Sequence, residues 1–159
     1  LCIKEDLMDT TDEDVCKLSG TKKVQNSGAP VQITKFEEFT AGKEAISFSF
    51  TVENVGTGLL FEPSSVCNDT PIKENIINLK VNSGINGLSC TGLNDDNNVK
   101  NGEELGTIKL STGARTVRCK QSVGENDKVD KVKIVEITAT YDYEQTISTD
   151  VLVKHISDE

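Results

Sequence analysis

The stretch that most constrains the fold is "AISFSFTVEN", residues 45–54. Ile46, Phe48, Phe50 and Val52 fall on one side of an extended chain, and Ser47, Ser49, Thr51 and Glu53 fall on the other. With one apolar and one polar face, such a strand meets a core on one side and water on the other, as in antiparallel sheets rather than doubly buried parallel ones. It runs into "VENVGTG", where Asn54, Gly56 and Gly58 are expected to accept positive φ as the chain turns out of the strand. The paired glycines do not make a phosphate loop, because no helical pattern follows and the third glycine of a dinucleotide fingerprint is absent.

The same alternation recurs along the chain. "VQITKFE" (31–37), "IINLKVN" (76–82) and "INGLSC" (85–90) each have the length and residue types of strands. "TIKLSTGARTVRCK" (107–120) is expected to be a hairpin about its Ser-Thr-Gly turn. In "KVKIVEITATYDYEQTISTDVLVK" (131–154), Val135, Ile137, Ala139, Tyr141 and Tyr143 alternate inward, and Val132 and Ile134 are out of phase, which suggests a bulge near Ile134. Ile147, Val151 and Val153 carry the pattern into a last strand. Eight or nine short strands separated by turn residues, with no stretch of normal helical pattern, predict an all-β antiparallel sandwich; a barrel is the rival. Hydrophobic residues make up 35% of the 159 and aromatics 4%, with no Trp, so the core must rest on Val, Ile, Leu and a few Phe. That length fits one domain.

Five cysteines bear on the compartment. None forms a CxxC pair of the kind a zinc ribbon or thioredoxin-like site requires, so disulfides are the favoured use. Cys2 and Cys16 bracket a short acidic segment, and Cys90 and Cys119 end two strand-like runs; the expected pairing is Cys2 with Cys16 and Cys90 with Cys119, with Cys67 left unpaired or bonded to another chain. Residues 1–28 are polar and acidic and end at Gly28 and Pro30, which sets them apart as a disulfide-stapled leader before a sandwich domain of residues 29–159. The chain begins at Leu1 rather than Met, so a processed product or an excised ectodomain is expected, with any membrane contact made through an anchor outside this sequence.

The formal charge of −9 argues against nucleic acid and anionic membranes as partners. Candidate calcium ligands are concentrated in "DTTDED" (Asp9, Asp12, Asp14) and "NDDNN" (Asp95, Asp96), neither with the spacing of an EF-hand; the alternative is a solvated acidic loop. Asn68 begins the single N-x-[ST] sequon, Asn68-Asp69-Thr70, a candidate glycosylation site. His155 is the one histidine, so nucleophilic catalysis would have to use it, and Cys67 has an Asp nearby but no base. Paired carboxylates are cheap in a chain with 26 acidic residues, and the aromatic platforms that sugar hydrolysis uses are scarce. No enzyme is expected, and no cofactor beyond a calcium ion.

The run "GAPVQITKFEEFTAGKEAISFSFTVENVGTG", a Cys-bearing loop, "LSC", "VRC" and a closing "VKIVEITATYDYEQTISTDVLV" resemble the CARDB-type immunoglobulin-like domains, or cell-adhesion-related domains, of archaeal surface and secreted proteins. The resemblance spans roughly residues 28–154, and its most specific element is F-x-F-x-V-x-N-x-G at Phe48, Phe50, Val52, Asn54 and Gly56. It implies cell-surface structure, adhesion or subunit assembly without catalysis. An edge-bearing, disulfide-stabilised sandwich with a polar leader able to reach a neighbour is in turn expected to self-associate outside the cell or at its surface, as a subunit of a filament or coat assembled through edge strands or donated strands. Such domains usually stand within longer chains, and here one stands alone. A carbohydrate- or calcium-binding module, using the loops at one end of the sandwich, is the alternative.

Overall fold

The computed structural model of the chain describes residues 1–9, 11, 15–64, 73–94 and 102–153. Strand β4 (Ala45–Asn54) is the "AISFSFTVEN" stretch, and its even-numbered residues Ile46, Phe48, Phe50 and Val52 are all buried. It is paired along its whole length on both sides, by β3 (Val31–Thr40) and by β9 (Ala114–Ser122). With β2 (Gly20–Thr21) outside β3 and β7 (Leu88–Thr91) outside β9, these strands form one antiparallel layer in the order β2-β3-β4-β9-β7. The opposite layer is β11 (Glu136–Thr140), β6 (Ile76–Asn82) and β8 (Glu103–Lys109), in the order β11-β6-β8. Beyond it β12 (Asp142–Glu144) pairs with β5 (Leu59–Phe61), so the long chain 136–144 lies against two successive partners. A short ladder joins β1 (Cys2–Ile3) to β10 (Lys131–Val132). Among the described residues there is no α-helix, only a 3₁₀ turn at Glu125–Asp127.

The chain is thus an all-β antiparallel sandwich of immunoglobulin type and not a closed barrel. Its first layer has the order A-B-E-D of that fold in β3-β4-β9-β7, and β6 beside β11 stands where C and F stand. Strand β8 is an addition on the far side of β6. Side chains of the two inner faces meet in one core. Ile77, Leu79 and Val81 of β6 and Ile108 of β8 are at most 1% exposed, as are Phe48 and Phe50 opposite. Phe36 of β3 stacks on Phe48 and Phe50 at ring-centroid distances of 5.3 and 6.5 Å. Offset stacks of this kind add to burial in a core with few rings.

Both disulfides are formed. Cys2 bonds Cys16 within the leader, and Cys90 bonds Cys119, its direct cross-strand neighbour in β7 and β9. The second bridge therefore staples two adjacent strands of one layer; it does not cross between layers as the antibody-domain bridge does. Such bonds belong to a non-reducing compartment.

Three expectations are corrected. Residues 107–120 are not a hairpin: β8 pairs with β6, β9 pairs with β4 and β7, and the turn in which the Gly113 N–H donates to the Leu110 carbonyl (2.9 Å) carries the chain from one layer to the other. Alternation of buried Ile108, Val117 and Cys119 is the same in both arrangements, so periodicity does not choose between them. The stapled leader packs on the sandwich, with Leu1, Cys2, Ile3, Leu7 and Leu18 buried in the common core. These few apolar residues have no regular period, which is why a polar segment hides them. Near Ile134 the ladder breaks rather than bulges: β10 ends at Val132, β11 starts at Glu136, and Ile134 is exposed between two different partners. Residues 145–153 pair with no strand among the described residues.

The turn after β4 has a different cause from the one expected. Gly56 and Gly58 are not among the glycines with positive φ. They are small because Tyr143 of β12 lies on them: the Gly58 N–H donates to the Tyr143 hydroxyl at 2.7 Å, and a Cβ on Gly58 would stand 2.3 Å from the Glu144 carbonyl oxygen. Asn54 closes the corner, accepting from the Gly56 N–H (3.1 Å) and donating to the Gly58 carbonyl (3.1 Å). Backbone cannot yield as a flexible side chain does, so Gly58→Ala is expected to lower unfolding free energy by about 1–3 kcal/mol, read as a urea midpoint shift. Replacing Cys90 and Cys119 together by Ala releases a loop with a sequence separation of 29; a loss of about 3–4 kcal/mol is expected in the same measurement, and an unchanged midpoint would refute the stapling role.

Candidate functional site

The two layers do not close equally at their margins. Along the first layer, the outer edge of β3 is covered: Thr21 and Gly20 pair with Glu37 and Glu38, the Lys22 N–H donates to the Phe36 carbonyl at 2.9 Å, and the Asn26 amide side chain makes both hydrogen bonds with the backbone of Ile33 (2.8 and 2.9 Å). In the second layer the outer side of β8 meets Asn94 through a bridge at Thr107. The outer side of the Glu136–Glu144 chain has no strand partner among the described residues. In an immunoglobulin-type sandwich that is the place of the final strand, G, beside F.

Burial records the gap. Ile137 lies opposite Val81 and Ala139 opposite Leu79 on the same inner face, yet Val81 and Leu79 are fully buried, and Ile137 and Ala139 are only partly so. Val135, Tyr141 and Tyr143 are likewise half covered. Between this row and β3 a groove of about 730 Å³ opens, with Val31, Ile33 and Phe36 on one wall and Val135, Ile137 and Ala139 on the other. Two tethers bound it. At one end the Lys133 N–H donates to the Leu1 carbonyl at 2.8 Å, and at the other the Val31 N–H donates to the Tyr141 hydroxyl at 3.4 Å. The groove's charged lining residues are Lys22, Lys23, Glu38, Lys133 and Glu136.

Glu38 lies in the groove floor and is wholly buried. Its Oε1 accepts from the Cys2 N–H at 2.8 Å, and its Oε2 stands 3.5 Å from the Lys22 ammonium. Burial raises its pKa above the ordinary 4.5, with the Cys2 hydrogen bond and the charges of the Leu1 amino group and Lys22 pulling the other way. The carboxylate thus anchors the stapled leader to β3, a role that no sequence pattern announced. Its one sequence trace is an acidic residue at an inward position of "TKFEEFT".

The residues singled out from sequence are distributed differently. Cys2 and Cys16 line the groove, and Cys90 and Cys119 join β7 to β9 at the margin of the first layer opposite β2. Asp9 is in an exposed turn, where its Oδ1 accepts from the Thr11 N–H (2.8 Å) and hydroxyl (2.7 Å). Asp12, Asp14, Cys67, Asn68, Asp95, Asp96 and His155 lie outside the described residues. Among the described residues no three His, Cys, Asp or Glu side chains converge as a metal site would require, and no helix is long and apolar enough to cross a membrane. The groove itself is apolar-walled, elongated and flanked by unpaired backbone, which suits an extended peptide better than a small polar substrate.

The chain matches no protein-family model, no curated protein and no solved structure.

A raised carboxyl pKa means that the folded state holds its proton more tightly than the unfolded state. Glu38 therefore favours folding fully below about pH 4, and this contribution is lost as pH rises through the raised value. Glu38→Gln should remove that component: the urea midpoint of the parent falls relative to the variant's as pH rises above about 4, and parallel curves would count against the assignment.

Proposed function

We propose that this chain is a non-enzymatic structural module, located outside the cell or at its surface, that assembles with other protein subunits through the open margin of its second layer. One observation carries the reading: among the described residues, Glu136–Glu144 offers an unpaired strand edge beside an apolar groove, where an immunoglobulin-type sandwich has its last strand. An exposed edge is a template for pairing with another chain, and natural proteins ordinarily shorten, charge or cover it. The covered edge of β3 in the same molecule makes the uncovered one conspicuous. Main-chain hydrogen bonds would supply affinity there, and side-chain pockets on alternate residues would supply selectivity. Two disulfides suit an oxidising setting, and the CARDB-like pattern at Phe48, Phe50, Val52, Asn54 and Gly56 supports an adhesive or assembly role.

Sedimentation equilibrium of the intact chain tests this. The weight-average mass is expected to rise above 17.3 kDa with concentration, and Ala139→Glu, which places a charge in the groove, is expected to abolish the rise without changing the circular dichroism spectrum. A chain that remains monomeric at millimolar concentration overturns the proposal.

A further inference from the structure

The open edge and its occupant are both present in the sequence. Residues 145–153 continue from β12 as unpaired chain, with Ile147, Val151, Leu152 and Val153 at 87, 79, 83 and 85% exposure. Four bare aliphatic side chains in nine residues are unusual for solvated polypeptide and signal a surface that is covered in use. The odd-numbered three continue the phase of Val135, Ile137, Ala139, Tyr141 and Tyr143, the row that faces the core. A strand laid beside β11 and β12 in that phase would place Ile147, Val151 and Val153 over the groove and keep Thr146, Ser148 and Asp150 outward.

The segment is badly placed to fill its own groove. A return along β12 requires a tight turn directly after Glu144, and "QTIST" contains no Gly, Pro, Asn or Asp to make one. Gln145 does not turn back: its side-chain amide donates to the Thr57 hydroxyl at 3.3 Å, beyond the Glu144–Leu59 end of the β12–β5 ladder.

We propose that residues 145–153 of one copy serve as the missing edge strand of a second copy, pairing with Glu136–Glu144 and seating Ile147, Val151 and Val153 in its groove. This rests on the assembly reading above and adds to it the identity of the inserted segment. The contact joins a tail to a groove, two different surfaces, so each copy in an assembly both gives and receives a strand.

The test uses full-length chain with substitutions at exposed positions, which leave the monomer fold intact. Val151→Asp with Val153→Asp is expected to weaken self-association by about a hundredfold, because two carboxylates would enter an apolar groove. Leu152→Asp, as exposed and as apolar but on the other face, should associate as the parent does. The doubly substituted chain keeps an empty groove and should bind the synthetic peptide Gln145–Val153 in 1:1 ratio, and not the peptide carrying the two Asp substitutions. Parent-like assembly of the double variant overturns the strand-donation proposal and leaves edge-mediated assembly standing, as does failure of the parent peptide to bind it. Tail amides protected from hydrogen exchange in a monomeric parent would place the strand in its own groove and also overturn it. A parent chain that never associates removes the assembly reading itself.

Discussion

The constraint on which the structure depends is that a half-apolar strand must be covered twice, by neighbours within its layer and by the opposite layer. Strand β4 satisfies both conditions along its whole length, with β3 and β9 beside it and β6 and β8 over its aromatic face. Strand β6 also has neighbours on both sides, β11 and β8, and its inner residues are as deeply buried as those of β4. Strand β11 has the same inward alternation but, among the described residues, one neighbour, and its inner row is half open. The difference between a filled core and a groove lies in strand neighbours, not in a change of sequence character.

The margins of the sandwich are handled by different devices. The stapled leader shields β3: β2 pairs with it, Asn26 satisfies Ile33, and Glu38 accepts from Cys2 inside the core. Such a buried carboxylate tolerates its surroundings because a backbone donor and Lys22 face it. At the other margin of this layer, β7 is four residues long and covalently tied to β9. A short edge strand offers little template for association. Under the proposed assembly, the devices protecting β3 and β7 would favour pairing at β11, because fewer competing edges could capture a passing strand.

Much of the architecture was legible because a period of two is a strong signal wherever one face is buried. Residues 45–54 show it most fully, and 76–82 and 135–143 show it well enough to assign inward positions. What alternation omits is the identity of the neighbour. Residues 107–120 look the same as a hairpin or as an arch between layers, and residues 145–153 look the same as a paired strand or as an unpaired one. Two glycines were recognised as a turn for the wrong reason, since the constraint on Gly58 is the proximity of Tyr143 and Glu144, 85 and more residues away in sequence. The groove had no signature of its own, being built from the leader, β3 and β11, whose approach depends on tertiary packing alone. Glu38 was hidden for the same reason: a buried carboxylate differs from a solvated one only by what surrounds it.

A tail that fits a groove elsewhere on the same surface has consequences for the form of an assembly. An isologous contact would exhaust itself in a dimer, whereas tail into groove leaves one free tail and one free groove after every addition. The product is a ring if the rotation between neighbours closes and an open filament otherwise. The inserted strand would also be shared between layers of two bodies, so that unfolding one subunit would expose the inner face of another, and stability would grow with occupancy of the groove. Both disulfides lie outside that exchanged element, one in the leader and one between β7 and β9. In the proposed exchange they would hold the acceptor together before a partner's strand is seated, and a sandwich completed by another chain's strand would need such covalent support more than one whose strands are all its own.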